Sequence, residues 1–346
     1  MSSGPLRVGV VGLGWFGRIH LDAWASVRGA EVVAVCDRDP SVFDTAGHAQ
    51  ADFHADAGEA DSAVPEGVRR YASVEEMLAS GIDLLDVVVT EEQHEPCVRA
   101  GLTAGVDVVV EKPLATTWQA CADLVELAGT LGRNLYVGQV LRFDSRHVAL
   151  AELVRGNQLR HMSFSRHFQT RAHDVYGRAH PVLNASVHDI DLAVWFAGSA
   201  PDRVFAHASH WLGRETPDAV DLVLEWEGGL RAVVQNSWHL AETCPYGFVF
   251  DTVVHAVEGT YTLRSEPVVQ QWSAAGVSAP ELFFWPRYAG ARHGALVAQL
   301  QHFADRSAAG EPSERVLLDH VLDVMATCEA AITAIGTGRA ERPPRR

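Results

Sequence analysis

At 346 residues and 47% hydrophobic content the chain has room for two cores of ordinary size. Its net charge of −16 and pI near 5.4 argue against nucleic acid or an anionic membrane as a partner. No apolar run approaches the ~20 residues of a membrane span. Met1 to Pro5 leads into a strand with no secretory signal ahead of it, so a cytoplasmic location is expected. The five cysteines, odd in number and without a C-x-x-C pair, predict reduced structural thiols, not disulfides or a zinc site.

In chain order, Leu6 to Val11 predicts a strand, then comes Gly12-Leu13-Gly14-Trp15-Phe16-Gly17, with Ile19, Leu21 and Trp24 following at helical spacing. The first glycine permits a tight turn, the second lets a pyrophosphate approach the backbone, and the third lets helix and strand pack closely. A second strand, Glu31 to Cys36, ends at Asp37, 20 residues beyond Gly17, where a carboxylate would accept ribose hydroxyls. The expectation is a dinucleotide site made by Gly12, Gly14, Trp15, Phe16, Gly17 and Asp37. Asp37 favours NAD, because a carboxylate repels a 2′-phosphate, while Arg38 beside it leaves NADP open.

Residues 41–70 read as a helix and a loose connection. The β-α alternation of a parallel sheet continues with a helix over Val74 to Ala79, a strand over Asp83 to Val89 and a helix over Pro96 to Ala104. Thr90 to His94 is then a strand-end loop, and Thr90 and His94 are candidate walls of the cofactor pocket. Val106 to Val110 predicts the next strand, which delivers Glu111, Lys112 and Pro113 to the same sheet edge. Of the 28 basic residues 27 are arginine, and Lys112 is the one lysine. An ammonium can be desolvated and can relay a proton, whereas a guanidinium stays charged and planar. A helix over Thr117 to Thr130 and a strand over Leu135 to Val140 complete a dinucleotide-binding domain placed at 1–143.

Beyond it, alternating strands over His161 to Thr170, Arg203 to His210, Val220 to Glu227, Leu230 to Trp238 and Val253 to Leu263, with a turn at Gly259, predict a mostly antiparallel sheet. Helices are expected over Arg146 to Val154, Leu183 to Phe196 and Ser313 to Ile335. The second domain is placed at 144–338, with a flexible, Arg- and Pro-rich tail at 339–346. Within Leu183 to Asp191, residues Asn184, His188 and Asp191 stand at i, i+4 and i+7 and share a helix face, with Asn184 also readable as an N-cap. Arg142, His167 and Trp238 are further substrate-contact candidates. The histidines His161, His167, His173 and His180 lack the helical spacing of a zinc site, so no metal is expected.

Val8 to His20 with its glycines, Glu111-Lys-Pro-Leu-Ala115, and Asn184 to Trp195 with its His-Asp-Ile-Asp core together resemble the Gfo/Idh/MocA oxidoreductases, and within them the inositol and sugar dehydrogenases. The resemblance spans nearly the whole chain. It implies an N-terminal Rossmann domain and a C-terminal open sheet used for substrate binding and for assembly as dimers or tetramers. It also implies that Lys112 hydrogen-bonds the reacting hydroxyl beside the nicotinamide and that His188 is the general acid/base, with Asn184 and Asp191 positioning hydroxyls or the histidine. Two positions depart from the family pattern. Asn184 stands where most of these dehydrogenases carry an aspartate one turn before the histidine, and a comparable carboxylate-to-amide exchange in serine proteases costs ~10⁴ in rate. Glu91 replaces the usual proline after the loop threonine. The expected activity is NAD(P)-dependent oxidation of a secondary alcohol of a cyclitol or monosaccharide. Two rivals share the architecture: a glycosidase that oxidises its sugar only transiently, and a non-catalytic dinucleotide-binding sensor.

Overall fold

A computed structural model describes residues 4–43, 64–245, 247–265, 269–274 and 276–345. These residues group into two units: everything up to Asp144 together with Glu281–Leu318, and Ser145–Pro280 together with the chain from Asp319 onward. The first unit is built on a parallel sheet with β1 Leu6–Val11, β2 Ala30–Cys36, β3 Arg69–Tyr71, β4 Leu84–Val87, β5 Asp107–Glu111 and β6 Leu135–Gly138 in the order β3-β2-β1-β4-β5-β6. The order reverses between β1 and β4. In open α/β sheets ligands bind outside the carboxyl ends of strands at such a switch point. Its central strands are apolar on both faces, with Val8, Val10, Leu84, Leu85, Val87, Val108 and Val110 fully buried, as a sheet covered on both sides requires.

The helices of this unit are α1 Trp15–Trp24, α2 Val74–Ala79, α3 Glu91–Thr103 and α4 Trp118–Leu131. Ser73 caps α2 through Glu76 N, Thr117 caps α4 through Ala120 N, and Gly132 at φ 60° ends α4 in the left-handed conformation that glycine tolerates best. Three expectations are corrected here. Pro40–Phe43 is a 3₁₀ turn and Arg69–Tyr71 an edge strand; the rest of the helix and connection expected over 41–70 lies largely outside the described residues. Helix α3 starts at Glu91, not Pro96, because Thr90 is extended and Glu91 and Glu92 place negative charge at the positive end of the first turn. Residues 281–318 were expected within the second domain but return to the first unit. Their helix, Gly294–Ala309, buries Leu296, Leu300 and Phe303, and Phe303 stacks on Tyr136 at 5.1 Å and meets Phe143 edge-on at 5.6 Å.

The second unit starts with α5 Ser145–Val154, then β7 Leu159–Gln169 and α6 Ala172–Tyr176. A π-helical turn at Val182–Ser186 runs directly into α7 Val187–Ala197. Strands β8 Arg203–Ser209, β9 Ala219–Glu225, β10 Arg231–Leu240, β11 Phe248–Ala256 and β12 Thr260–Arg264 complete a sheet ordered β12-β11-β7-β10-β9-β8. Its pairs are antiparallel except β7 with β10. Short hairpins follow as β13 Gln271–Ser273 with β14 Gly276–Ser278 and, in the first unit, β15 Arg287–Tyr288 with β16 Ala291–Arg292. The 294–309 helix is thus α8, and α9 Leu318–Thr337 is the last. The tail expected to be flexible instead pairs, with Glu341 bridging Val204 of β8 and Arg345 bonding Asp202. Edge strand β8 leaves backbone groups open to such pairing. Among the described residues no helix is long and apolar enough to cross a membrane.

Candidate active site

At the carboxyl edge of the first sheet, Gly12 turns the chain at φ 91°, and a Cβ there would collide with the Val88 carbonyl just past β4. A Cβ on Gly17 would collide with the Gly12 carbonyl. Gly14 is the opposite case, since its Cβ would meet nothing within 4 Å. Two glycines are therefore demanded by the protein itself, and the third guards open space at the N-terminus of α1. There the first amides, those of Trp15, Phe16 and Gly17, have no acceptor inside the helix. Such an end receives an anion, and the open cradle fits a pyrophosphate.

A clean separation of roles is expected. Gly17→Ala should lose folded protein, read by thermal melting, because the clash is with backbone. Gly14→Ala should melt as the wild type yet bind NAD at least tenfold more weakly, about 1.4 kcal/mol, read by quenching of tryptophan fluorescence. Equal NAD affinity in Gly14→Ala would remove the cradle from the site.

Asp37 follows β2. Its Oδ2 accepts the Leu13 amide at 2.8 Å and its Oδ1 the Asp39 amide at 3.0 Å, so the carboxylate is locked against the glycine turn. Arg38 beside it is exposed. The side chains of Trp15 and Phe16 stack on each other at 5.8 Å and pack edge-on against Trp285 at 6.3 and 5.2 Å. Thr90 is exposed at the start of α3, while Glu91 is buried. His94 is buried with Nδ1 2.6 Å from the Pro113 carbonyl and Nε2 3.1 Å from that of Val89. Burial pulls its pKa below the ordinary value, against those carbonyls. These contacts tie the first turns of α3 to the peptide after Pro113. Lys112 itself is half-buried at the end of β5, joined to Pro113 by a cis peptide, and its amide donates to Glu111 Oε2 at 3.2 Å.

Arg142 is fully buried in a 3₁₀ turn after β6 and donates to the Arg315 carbonyl at 3.1 Å, holding a returning segment of its own unit.

In the second unit Asn184, His188 and Asp191 do lie on one continuous helical run, Asn184 and Asp191 buried and His188 half-buried. Asn184 is not an N-cap. It sits inside the π turn, with helical backbone on both sides and its amide bonded to the His180 carbonyl at 3.1 Å. A π turn widens the spacing, so residues four apart across it are offset from the ideal stripe; such turns recur at functional positions.

Sequence reasoning passed over what anchors α7. Arg166 on β7 pairs with both oxygens of Asp189, at 2.9 and 3.2 Å, and Asn236 on β10 donates to Asp189 Oδ2 at 3.0 Å. Ser186 bonds Asn236 in turn, and Arg166 lies over the rings of Phe248 and Phe250. The available signal was polarity at positions that alternate in phase with buried Met162 and Phe164.

The same alternation places His167. Being next to Arg166 on a regular strand, it points to the sheet face away from α7, where its Nδ1 meets Ser237 Oγ at 2.8 Å. Trp238 is buried against Ala172 and Ala185 and stacked on Phe168 at 5.2 Å.

Residues 6–139 match a family model described as an oxidoreductase family with an NAD-binding Rossmann fold, and residues 153–262 match the GFO/IDH/MocA C-terminal domain. An inositol 2-dehydrogenase 1 of Saccharopolyspora erythraea is 30% identical over 315 residues, covering 88% of this chain and 87% of that protein. The crystal structure of GenD2 from gentamicin A biosynthesis in complex with NAD is similar at a TM-score of 0.83 and 21% identity, over 100% of this chain and 98% of its own. That of scyllo-inositol dehydrogenase from Lactobacillus casei with bound NAD(H) and scyllo-inositol gives 0.80 at 18% identity, over 98% and 99% of the two chains. At those identities the two structures share the fold with this chain.

Proposed function

The chain belongs to the Gfo/Idh/MocA oxidoreductases, an NAD-binding family, and from that membership we propose that it oxidises a secondary alcohol of a cyclitol, with a monosaccharide as the alternative substrate. The observation that carries this reading is the pairing, on one sheet edge, of the open cradle at Gly14 with the chain's one lysine at the end of β5. The 30% identity to an inositol 2-dehydrogenase supports the cyclitol.

Gly12, Gly14, the first amides of α1 and Asp37 would hold NAD, which when bound supplies the hydride acceptor. Lys112 donates a hydrogen bond to the hydroxyl oxygen and stabilises the negative charge that grows there. His188 accepts the hydroxyl proton. Asn184 and Asp191 orient the polyol or the imidazole; as an amide, Asn184 serves hydroxyls by hydrogen bonding and adds no charge to the imidazolium. Asp37 favours NAD over NADP by repelling a 2′-phosphate. Assembly as a homodimer or homotetramer and a cytoplasmic location belong to the same reading.

The test is reduced-nicotinamide formation with NAD and, separately, NADP across inositols, aldoses and amino sugars. The expected result is turnover with at least one inositol and a preference for NAD. Silence across the panel with NAD binding intact would overturn the dehydrogenase reading in favour of transient oxidation or pure sensing.

A further inference from the structure

The helix that follows the glycine turn contributes to a buried polar chain. His20, on the second turn of α1, is 0% exposed, with Nδ1 2.9 Å from Asp86 Oδ2 and Nε2 3.5 Å from Glu111 Oε1. The first contact is a hydrogen bond and the second an ion pair at longer range. Asp86 is in β4 and Glu111 ends β5, adjacent parallel strands. Trp24 Nε1 donates to the same Asp86 oxygen at 2.7 Å, and Phe16 meets the His20 ring edge-on at 4.8 Å, so the imidazole is clamped in place. The other Glu111 oxygen, Oε2, accepts the Lys112 amide. Room for this carboxylate is provided by Gly138 on β6, where a Cβ would collide with Glu111 Oε1.

We propose that His20 is a positioning residue for Lys112: bridging Asp86 and Glu111, it holds the Glu111 carboxylate against the Lys112 amide and so sets the peptide from which the lysine side chain extends. The proposal rests on the catalytic reading of Lys112 given above. Burial alone would pull the His20 pKa down, but the two carboxylates outweigh it and push it up to about 10, so the bridge is cationic at neutral pH. A cation between two buried carboxylates draws both inward. The Asp86 arm is anchored by Trp24, which leaves the Glu111 arm to transmit the constraint. A plain core histidine would satisfy one partner and have no reason to reach for the carboxylate next to the lysine.

Two amide substitutions separate the arms. The amide nitrogen of His20→Asn sits near the position of Nδ1 and keeps the Asp86 contact, while that of His20→Gln reaches the position of Nε2 and keeps the Glu111 contact. Because Lys112 is the one lysine, uniform labelling with ¹⁵N-lysine makes a protein whose amide spectrum contains a single lysine signal. The expected result is a Lys112 amide that shifts and exchanges faster in His20→Asn and stays near its wild-type behaviour in His20→Gln. Turnover should follow, with kcat about 100-fold lower in His20→Asn, KM for NAD little changed, and partial rescue in His20→Gln.

An amide signal identical in all three proteins, or displaced equally in both variants, would make His20 an ordinary core residue. Should neither variant fold, Asp86→Asn removes the charge behind the imidazole without touching Glu111. Faster Lys112 amide exchange there supports the bridge, and unchanged exchange overturns it. The amide signal does not depend on turnover, so a protein inactive on every polyol would defeat the proposed function and still decide the role of His20.

Discussion

Lys112→Met is expected to lower turnover on the preferred polyol by about 10²- to 10³-fold, the usual cost of removing one donor that stabilises charge developing in the transition state. Methionine keeps the length and flexibility of the stem and removes only the ammonium. The protein should therefore melt as the wild type and retain NAD, which fluorescence quenching would show. Lys112→Arg is expected to fail as well. Its charge is retained, but a planar, bulkier guanidinium does not fit the half-buried place of a compact ammonium and directs its hydrogen bonds differently. The chain uses arginine at each of its 27 other Lys/Arg positions, so a rescue by arginine would show that the site needs the charge and not the compact shape of an ammonium. Turnover within a few fold of wild type in Lys112→Met would remove the residue from the chemistry.

A large effect on stability is expected from Arg166→Met. The Arg166 and Asp189 side chains are 4% and 2% exposed. Removing the guanidinium leaves the Asp189 charge buried with the Asn236 hydrogen bond but no counter-charge, a loss of about 3–5 kcal/mol. Urea denaturation followed by far-ultraviolet circular dichroism should show the transition that carries the second unit at markedly lower urea. The Arg166→Met, Asp189→Leu double variant should recover part of the loss, because the stranded charge is gone. Recovery is incomplete, since the Asn236 amide then lacks the acceptor it has in Asp189, at about 1–3 kcal/mol for an unsatisfied buried polar group. Additive losses in the double variant would mean that the two side chains contribute independently and that the pair is not what anchors α7.

These two residues differ in how visible they were beforehand. Lys112 stood out in the sequence by type and place: a single lysine after an apolar run, followed by proline. Arg166 did not, because an arginine in an alternating strand reads as a solvent position until a partner on another element is known. Asn184 was legible as a departure, but the π turn that carries it was not, since nothing in the local pattern separates a π turn from an α turn.

What the sequence by itself determined is local in origin. The glycine turn, the β-α alternation, the placement of Lys112 at a strand end and the helical run through His188 all follow from short-range sterics and hydrophobic periodicity. The tertiary structure alone decided which side chains meet. It buried Arg142 beneath Arg315, turned His167 to the face away from α7, packed Trp238 into a core, returned α8 to the first unit through Phe303, and brought His20, Asp86 and Glu111 together from three elements. Those outcomes depend on strand order, register and long-range pairing. A one-residue change of register would exchange the faces of a strand, and neither composition nor local spacing specifies the partner across it.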